Sequence, residues 1–196
     1  IYTLYEGNRQ QQILDGADPG KTFVIPNGID IAQYKKVYDS RNAKRPLNGA
    51  NSLLSIGFVG RVVPIKDVKT FIRACKVVSL RIPNIKIYIV GPTDENANYY
   101  QECLELCSFM GIEDRIDFVG QADSMKYYSF LDLVVLTSVS EAQPLVVLEA
   151  NCAGIPVVAS DVGACRELLE GNTEDDKALG VSGIVTRVVD PADTAN

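Results

Sequence analysis

Residues 137–163 have the sequence TSVSEAQPLVVLEANCAGIPVVASDVG, and this stretch decides the fold of the chain. The apolar run at 131–136, just before it, predicts a buried strand. Pro144 predicts the first position of a helix, because the fixed φ angle and the missing N–H of proline are harmless there. We therefore expect one short helix over residues 144–153.

A second strand is predicted directly after this helix. Gly154 suits the left-handed residue that ends a helix, and the apolar residues 155–159 follow it. A strand, a helix and a strand in this order form a parallel unit, whose two strands end at the same edge of the sheet. Ligands of open α/β sheets bind at that edge, so we expect residues 138–143 and 160–163 to line a binding site.

Two carboxylates mark the predicted site. Glu141 precedes the helix, and Glu149 lies inside it. Between them, the unpaired N–H groups of the first turn, near Leu145 and Val146, form a positive helix end suited to phosphate. An ionised carboxylate also accepts two hydrogen bonds from a vicinal diol such as ribose, each worth about 1.5–3 kcal/mol. The stretch therefore predicts an anion site with a hydroxyl-binding carboxylate on each side.

Two basic residues follow an upstream strand. The apolar run at 53–59 predicts this strand, and Gly60, Arg61 and Lys66 lie in the loop after it. A helix with a capping residue and an apolar stripe is predicted next: Asp67, then Val68, Phe71, Ile72, Cys75 and Val78. Because both loops follow parallel strands, we expect Arg61 and Lys66 at the same sheet edge as Glu141. The glycine before Arg61 allows a ligand to approach the backbone closely.

The rest of the chain alternates between strands and helices. Further strands are predicted at 21–25, 85–90, 116–119 and 183–186, and further helices at 96–110, 123–130 and 164–169. Weak helical spacing is present in residues 1–18. Exposed loops are predicted at 35–51, with solvated charges around Arg41, Lys44, Arg45 and Pro46, and at the acidic segment 172–177, which we expect to be mobile. The alternation predicts an α/β fold with a doubly wound, mostly parallel Rossmann-like sheet.

Composition limits the partners of the chain. Its 196 residues, 46% of them hydrophobic and 22% charged, suit one globular domain. The net charge of −6 argues against nucleic acid or an anionic membrane as a general partner. The chain starts at Ile1 rather than at methionine, and the segment 190–194 looks like a helix start with no helix after it. We therefore expect the sequence to be cut at both ends.

The lack of histidine and the spacing of the five cysteines argue against two kinds of site, a zinc site and a histidine-dependent catalytic triad. The chain has no histidine and no Cys-x-x-Cys pair, so neither a zinc site nor a histidine-dependent catalytic triad is expected. The five cysteines are predicted to be small reduced hydrophobes of a cytoplasmic protein: Cys75, Cys103, Cys107, Cys152 and Cys165. Helical spacing places Cys103 and Cys107 on one buried stripe.

Taken together, these motifs resemble a known family. Their order resembles that of the nucleotide-sugar-binding domain of retaining GT-B glycosyltransferases of family 4, or group 1. The motifs are Gly60-Arg61 with Lys66, the pair Glu141 and Glu149, the segment AGIPVVA at 153–159 and Val162-Gly163. The resemblance runs from about residue 23 to 189. It implies the C-terminal half of a GT-B fold, with the end of an interdomain segment or an N-terminal extension at 1–20, the binding domain at 21–190 and a truncated tail at 191–196.

A subgroup of that family is also similar. The segments YTLYEGNR at 2–9, PNGID at 26–30 and DVGACREL at 161–168 resemble the Pel exopolysaccharide glycosyltransferase group. One position departs from the family pattern, because Ala142 and Gln143 stand where many members have a glycine and an aromatic residue. The resemblance therefore leaves the donor sugar open.

The resemblance implies roles for individual residues. Arg61 and Lys66 would hold the donor diphosphate and stabilise the departing nucleoside diphosphate, and Glu141 would bind a hydroxyl of the transferred sugar; these three are the expected catalytic residues. Glu149 would bind the ribose hydroxyls, and the backbone around Phe118 and Val119 would hold the base. The full expected donor-binding set is Gly60, Phe118, Val119, Gln143, Pro144, Leu145, Val146 and Glu149.

The implied activity is transfer of a sugar from a nucleoside-diphosphate sugar, expected to be a UDP-sugar, to a glycan or polysaccharide acceptor. The acceptor would be bound by a missing N-terminal domain, so the piece alone should be inactive. No Asp-x-Asp pair is present, and no metal or other cofactor is expected. The resemblance further implies a cytoplasmic enzyme without a nucleic-acid partner, associated in its full length with a membrane polysaccharide-export complex.

Two alternative functions remain open. A non-catalytic nucleotide-sugar-binding or scaffold module would keep this fold but would not require Arg61, Lys66 and Glu149 together. A GT-B sugar epimerase is the nearest enzymatic alternative. A receiver-type regulatory domain is disfavoured, because the acidic cluster and the later lysine that it needs do not occur in the required order.

Overall fold

Parallel strands form the framework of the structure, a computed structural model that describes residues 1–44 and 53–196. The strands are β1 (Tyr2–Thr3), β2 (Phe23–Val24), β3 (Leu54–Val59), β4 (Ile85–Val90), β5 (Ile116–Gly120), β6 (Leu133–Leu136), β7 (Val157–Ser160) and β8 (Gly183–Thr186). Six of them form one sheet in the order β5-β4-β3-β6-β7-β8, and every neighbouring pair is parallel. β1 and β2 pair separately.

Helices connect the strands and cover the sheet. They are α1 (Glu6–Leu14), α2 (Ile31–Lys44), α3 (Val68–Arg81), α4 (Ala97–Met110), α5 (Ser124–Tyr128), α6 (Leu145–Cys152), α7 (Cys165–Glu170), α8 (Glu174–Ala178) and α9 (Pro191–Ala195). The strand order confirms the predicted doubly wound α/β fold. It reverses between β3 and β6, and the crevice beyond the carboxyl ends of these two strands is where such sheets bind ligands.

The core lies on both faces of the sheet. On one face, Phe58 and Ile87 pack against α3 and α4, and on the other, Val134 and Val157 pack against α6 and its neighbours. Central parallel strands are buried on both faces, which explains their nearly continuous apolar sequence. The predicted stripe on α3 is confirmed as core at Val68, Phe71, Ile72 and Cys75, while Val78 is partly buried against the same cluster.

The central strand–helix–strand unit is confirmed, with shifted boundaries. Pro144 is the residue before α6 rather than its first residue, because its ψ angle of 121° is extended. The first strand begins at Leu133 rather than at residue 131, since Leu131 is buried against the core outside the strand ladder. Gly154 has the predicted positive φ angle of 69°.

The prediction of a loop at 35–51 is wrong for its described part, which belongs to α2. Arg41 was expected to be solvated, yet it is only 7% exposed. Its Nη1 donates to the carbonyl oxygens of Tyr128, at 2.8 Å, and Leu131, at 2.5 Å. Arginine is mostly an exposed residue, so a buried arginine conceals the inward-facing stripe of this helix from the sequence pattern. The side chain of Lys44 and residues Arg45 and Pro46, which the same prediction covered, lie outside the described residues.

Two further segments expected to lack structure form short helices. The acidic segment 172–177 contains most of α8, which begins with a capping box between Thr173 and Asp176. Asp190 caps α9 by accepting from the amides of Ala192 and Asp193, and α9 packs against α3. The expectation that no helix follows residue 190 is therefore wrong. The division into 1–20, 21–190 and 191–196 stays a prediction.

The cysteines are free thiols, and Cys152 is the least buried of the five. Burial raises the pKa of Cys107 to about 11 and of Cys103 and Cys165 to about 12. These thiols are therefore protonated near neutral pH and behave as small hydrophobic side chains. Within the part of the chain that the structure describes, no helix combines the length and the apolar composition that a bilayer span requires.

Candidate active site

Three loops meet at the carboxyl edge of the sheet. The loop after β3 is joined to the loop after β6 by the amide of Val139, which donates to the carbonyl of Ile65 at 2.9 Å. Thr137 Oγ1 adds bonds to the carbonyl oxygens of Lys66 and Asp67, at 3.2 and 2.9 Å. The two loops on either side of the topological switch point are thus held in one fixed arrangement.

The loop after β7 closes against the same structure. The amide of Ala164 donates to the carbonyl of Ala142 at 2.8 Å. Gly163 has so little room that a Cβ atom there would lie 2.4 Å from the carbonyl oxygens of Glu141 and Ala142. The predicted Val162-Gly163 motif therefore supports the loop that carries Glu141.

Lys66 and Glu141 are brought together in this arrangement. The Lys66 ammonium forms a short ion pair with Glu141 Oε1, and Ser138 Oγ donates to the same oxygen at 2.6 Å. Both charged side chains are mostly buried, with 19% and 12% of their surface exposed. An ammonium has three N–H donors, so Lys66 retains donors for a second anion while Glu141 remains compensated.

Arg61 points to a different partner. Its Nη1 donates to Glu95 Oε2 at 2.9 Å, and the two side chains are 53% and 42% exposed. The sequence pattern places Glu95 near a helix start, where an acidic residue is favourable, and does not predict its pairing with Arg61. Exposed ion pairs contribute about 0–1 kcal/mol. An anionic ligand that binds Arg61 would therefore displace Glu95 at little cost.

Glu149 lies on α6 and is held by a tyrosine. Its Oε2 accepts from the hydroxyl of Tyr128 at 2.7 Å. Tyr128 is fully buried, and burial, followed by the negative charge of Glu149, raises its pKa above the ordinary range. The same two causes raise the pKa of Tyr34, on α2. Neither tyrosine is predicted from the sequence to belong to the site, because nothing in their spacing relates them to Glu149.

The N-terminus of α6 opens on the same edge. Pro144 precedes the helix and gives it no side-chain cap, so the first amides, at Leu145 and Val146, lack intrahelical acceptors. Gln143 is held from the other side, because its Oε1 accepts from the amide of Asn27 at 2.5 Å and its carbonyl accepts from Asn27 Nδ2 at 2.9 Å. The helix end predicted to bind phosphate is therefore uncapped and firmly placed.

A hollow of about 210 Å³ lies at the ends of β3, β4 and β5. Its lining includes Gly60, Arg61, Gly91, Pro92, Gln121 and Ala122. Its lining does not include Phe118 and Val119, whose backbone was expected to hold a base, and that role stays a prediction. The ring of Phe118 packs against Tyr100, with ring centroids 5.3 Å apart. The residues that follow β5, rather than those within it, form the wall.

The structure thus assembles part of the predicted set. It brings Lys66, Glu141 and the start of α6 to one crevice, and it places Gly60 and Arg61 at the adjoining hollow. Across residues 1–44 and 53–196, no group of three or more His, Cys, Asp or Glu side chains is arranged to hold a metal ion. The arrangement offers two cations, a helix N-terminus and the Glu141 carboxylate, and Glu149 lies further along α6 against Tyr128.

Known proteins share both the sequence pattern and the fold. The model of the family "Glycosyl transferases group 1" matches residues 54–196. A D-inositol 3-phosphate glycosyltransferase from Geodermatophilus obscurus is 30% identical over 195 residues, which cover 94% of this chain and 41% of that protein. The chain therefore spans about two fifths of the length of such relatives.

Solved structures of glycosyltransferases share the fold of this chain. HepE from Anabaena, in complex with UDP and glucose, is 27% identical with a TM-score of 0.80, covering all of this chain and 51% of HepE. The C-terminal domain of LpcC, a glycosyl transferase group 1 family protein from Francisella tularensis, shares the fold at 24% identity and a TM-score of 0.65, over 86% of this chain and 84% of that one. With a family model that covers most of its length, this chain belongs to the glycosyl transferases of group 1.

Proposed function

We propose that this chain is the donor-binding half of a retaining glycosyltransferase, which transfers a sugar from a nucleoside-diphosphate sugar to a glycan. The observation that carries the proposal is the pairing of Lys66 with Glu141 beside the uncapped start of α6, at the switch point of the sheet. That position binds ligands in open α/β sheets.

The cations and the helix end suit a diphosphate. Lys66 presents N–H donors from one loop, and the amides of Leu145 and Val146 present theirs from another, with the positive end of the helix dipole behind them. When the glycosidic bond breaks, negative charge grows on the leaving diphosphate. Donors fixed before the reaction stabilise this charge without having to reorganise. Arg61 adds a second cation when the ligand displaces Glu95.

The hollow beside the crevice and the Glu149 carboxylate suit the base and the ribose of a nucleoside. The hollow beside Gly60 and Gly91 accepts a planar base between strand ends, and Glu149 offers carboxylate oxygens to the ribose hydroxyls. We propose uridine as the base, since HepE, which shares the fold over the whole of this chain, was solved with UDP and with UDP-glucose. Glu141, held by Lys66 and Ser138, would bind a hydroxyl of the transferred sugar.

The remaining features of the whole protein are also part of this proposal. We place the acceptor among polysaccharides, following the Pel-like segments at 26–30 and 161–168, and assign its binding to a further domain of the full-length protein. The cleft chemistry needs no metal or other cofactor, because fixed cations and a helix end perform the stabilisation. A cytoplasmic location and association with a membrane polysaccharide-export complex agree with this function.

Calorimetry with UDP tests the proposal. The chain should bind UDP, and Glu149→Gln should weaken this binding by about 10–100-fold, since hydrogen bonds to a charged acceptor contribute about 1.5–3 kcal/mol. Glu170→Gln is the matched control, because Glu170 pairs with Arg166 on the surface of α7, and it should bind UDP as the parent does. Absence of UDP binding by the parent, or equal affinity in both variants, would contradict the proposal.

A further inference from the structure

The Glu149 carboxylate is held differently from the Glu141 carboxylate. Glu141 is compensated by the Lys66 ammonium, whereas the partner of Glu149 Oε2 is the neutral hydroxyl of Tyr128. A neutral donor fixes the direction of a carboxylate without cancelling its charge. Such a carboxylate remains a strong acceptor for a hydroxyl group of a ligand.

Tyr128 is itself rigidly placed. Its side chain is fully buried, and its ring meets that of Tyr34 edge-on, with centroids 6.0 Å apart and planes at 64°. The buried guanidinium of Arg41 binds the carbonyl oxygens of Tyr128 and Leu131 at the end of α5. Helix α2 therefore locks the element that carries Tyr128, and it brings the hydroxyl of Tyr34 toward the same carboxylate.

Two tyrosines do not exhaust the acceptor capacity of this carboxylate. Tyr128 donates to Oε2 and Tyr34 also hydrogen-bonds Glu149, but an ionised carboxylate has about four acceptor sites, so Glu149 keeps sites for a ligand hydroxyl while the tyrosines hold its direction. Both tyrosines keep their protons near neutral pH, because burial and Glu149 raise their pKa. Their hydroxyl groups therefore remain hydrogen-bond donors near neutral pH.

We propose that Tyr128, with support from Tyr34, is a positioning residue that aims Glu149 at the vicinal hydroxyls of a ribose. The inference rests on the proposed function, because it assumes a nucleotide in the crevice. It goes beyond that function by assigning the discrimination between ribose and deoxyribose to a tyrosine that does not contact the ligand.

A ligand pair separates positioning from general support of the fold. We expect the parent chain to bind UDP about 10–100-fold more tightly than 2′,3′-dideoxy-UDP, which lacks both hydroxyls. Tyr128→Phe, which keeps the ring, should lower the affinity for UDP about 3–10-fold and leave the affinity for the dideoxy ligand unchanged. Tyr34→Phe should act in the same direction with a smaller effect. Loss of affinity by the same factor for both ligands, or for neither, would overturn the inference.

Two controls make the experiment decisive. Tyr127→Phe removes the hydroxyl of the preceding residue, whose ring packs against Tyr88 and Phe130, and it should change neither affinity. In the Glu149→Gln background, Tyr128→Phe should have no further effect on UDP, and an additive effect would overturn the inference. A parent that binds no UDP would overturn the proposed function and this inference with it, whereas UDP binding with unchanged discrimination in Tyr128→Phe would overturn the inference alone.

Discussion

Replacing Lys66 by alanine should lower the rate of sugar transfer by the full-length protein by about 10²–10³-fold, the usual effect of removing one fixed donor that stabilises charge in a transition state. The substitution removes the ammonium that compensates Glu141 and faces the developing diphosphate charge. The initial rate at saturating UDP-sugar measures the effect. Lys66→Ala should weaken the binding of the UDP-sugar less than it weakens the binding of the transition state. The loss should therefore appear mainly in kcat.

Lys69 provides a matched control for this prediction. It lies three residues further along, on α3, and pairs with Glu102 away from the crevice. Lys69→Ala should keep the parental rate. Lys66→Ala leaves the buried carboxylate of Glu141 without its cation, which could itself destabilise the fold. The double variant Lys66→Ala with Glu141→Gln removes that unpaired charge. It should have the free energy of unfolding of the parent and still be inactive. A Lys66→Ala rate close to that of the parent would contradict the assigned role.

The second large effect concerns Gly91, at the end of β4. A Cβ atom at this position would lie 2.1 Å from the carbonyl oxygen of Gly60, and the φ angle of 149° is unfavourable for other residues. Gly91→Ala should therefore destabilise the chain by about 2–5 kcal/mol, by adding overpacking to backbone strain. It should also push the ends of β3 and β4 apart and abolish UDP binding, because both glycines line the hollow.

Urea unfolding of Gly91→Ala and of a control variant at Gly120 measures the two losses of stability. Gly120, at the end of β5, also has a positive φ angle, of 74°, but a Cβ atom there would meet nothing within 4 Å. Gly120→Ala should therefore cost only the strain, about 1–2 kcal/mol. The difference between the two variants contains the clash with Gly60 together with any difference in backbone strain between the φ angles of 149° and 74°. Equal free energies of unfolding would show that the strand ends are not as closely apposed as the structure has them.

The sheet could be predicted because its signals are local. Apolar runs followed by turn residues identify buried strands, and glycine or asparagine marks the helix ends, as at Gly111 and Asn96 on α4. The meeting of Lys66 with Glu141 was also accessible, since both follow strands that a doubly wound sheet places side by side. Pattern and topology together therefore sufficed to predict that Lys66 and Glu141 meet at one edge of the sheet.

Features that depend on side-chain direction could not be predicted in this way. Tyr34, Val37 and Arg41 follow helical spacing, but a polar segment with several basic residues is typical of an exposed loop, so the pattern predicts a loop from residue 35 onward in place of most of α2. The pairing of Arg61 with Glu95 depends on the path of two loops. On the β5 side, the hollow is lined by Gln121 and Ala122, which follow the strand, and the strand pattern alone does not predict the lining that residues after a strand provide.

A crystal structure of the chain with UDP tests the central claim most directly. The uracil should lie in the hollow beside Gly91 and Gln121, the ribose hydroxyls on Glu149, and the diphosphate between Lys66 and the first amides of α6. Arg61 should have left Glu95 for the phosphate. UDP bound away from this crevice, with the Lys66–Glu141 pair and the start of α6 untouched by the ligand, would contradict the claim.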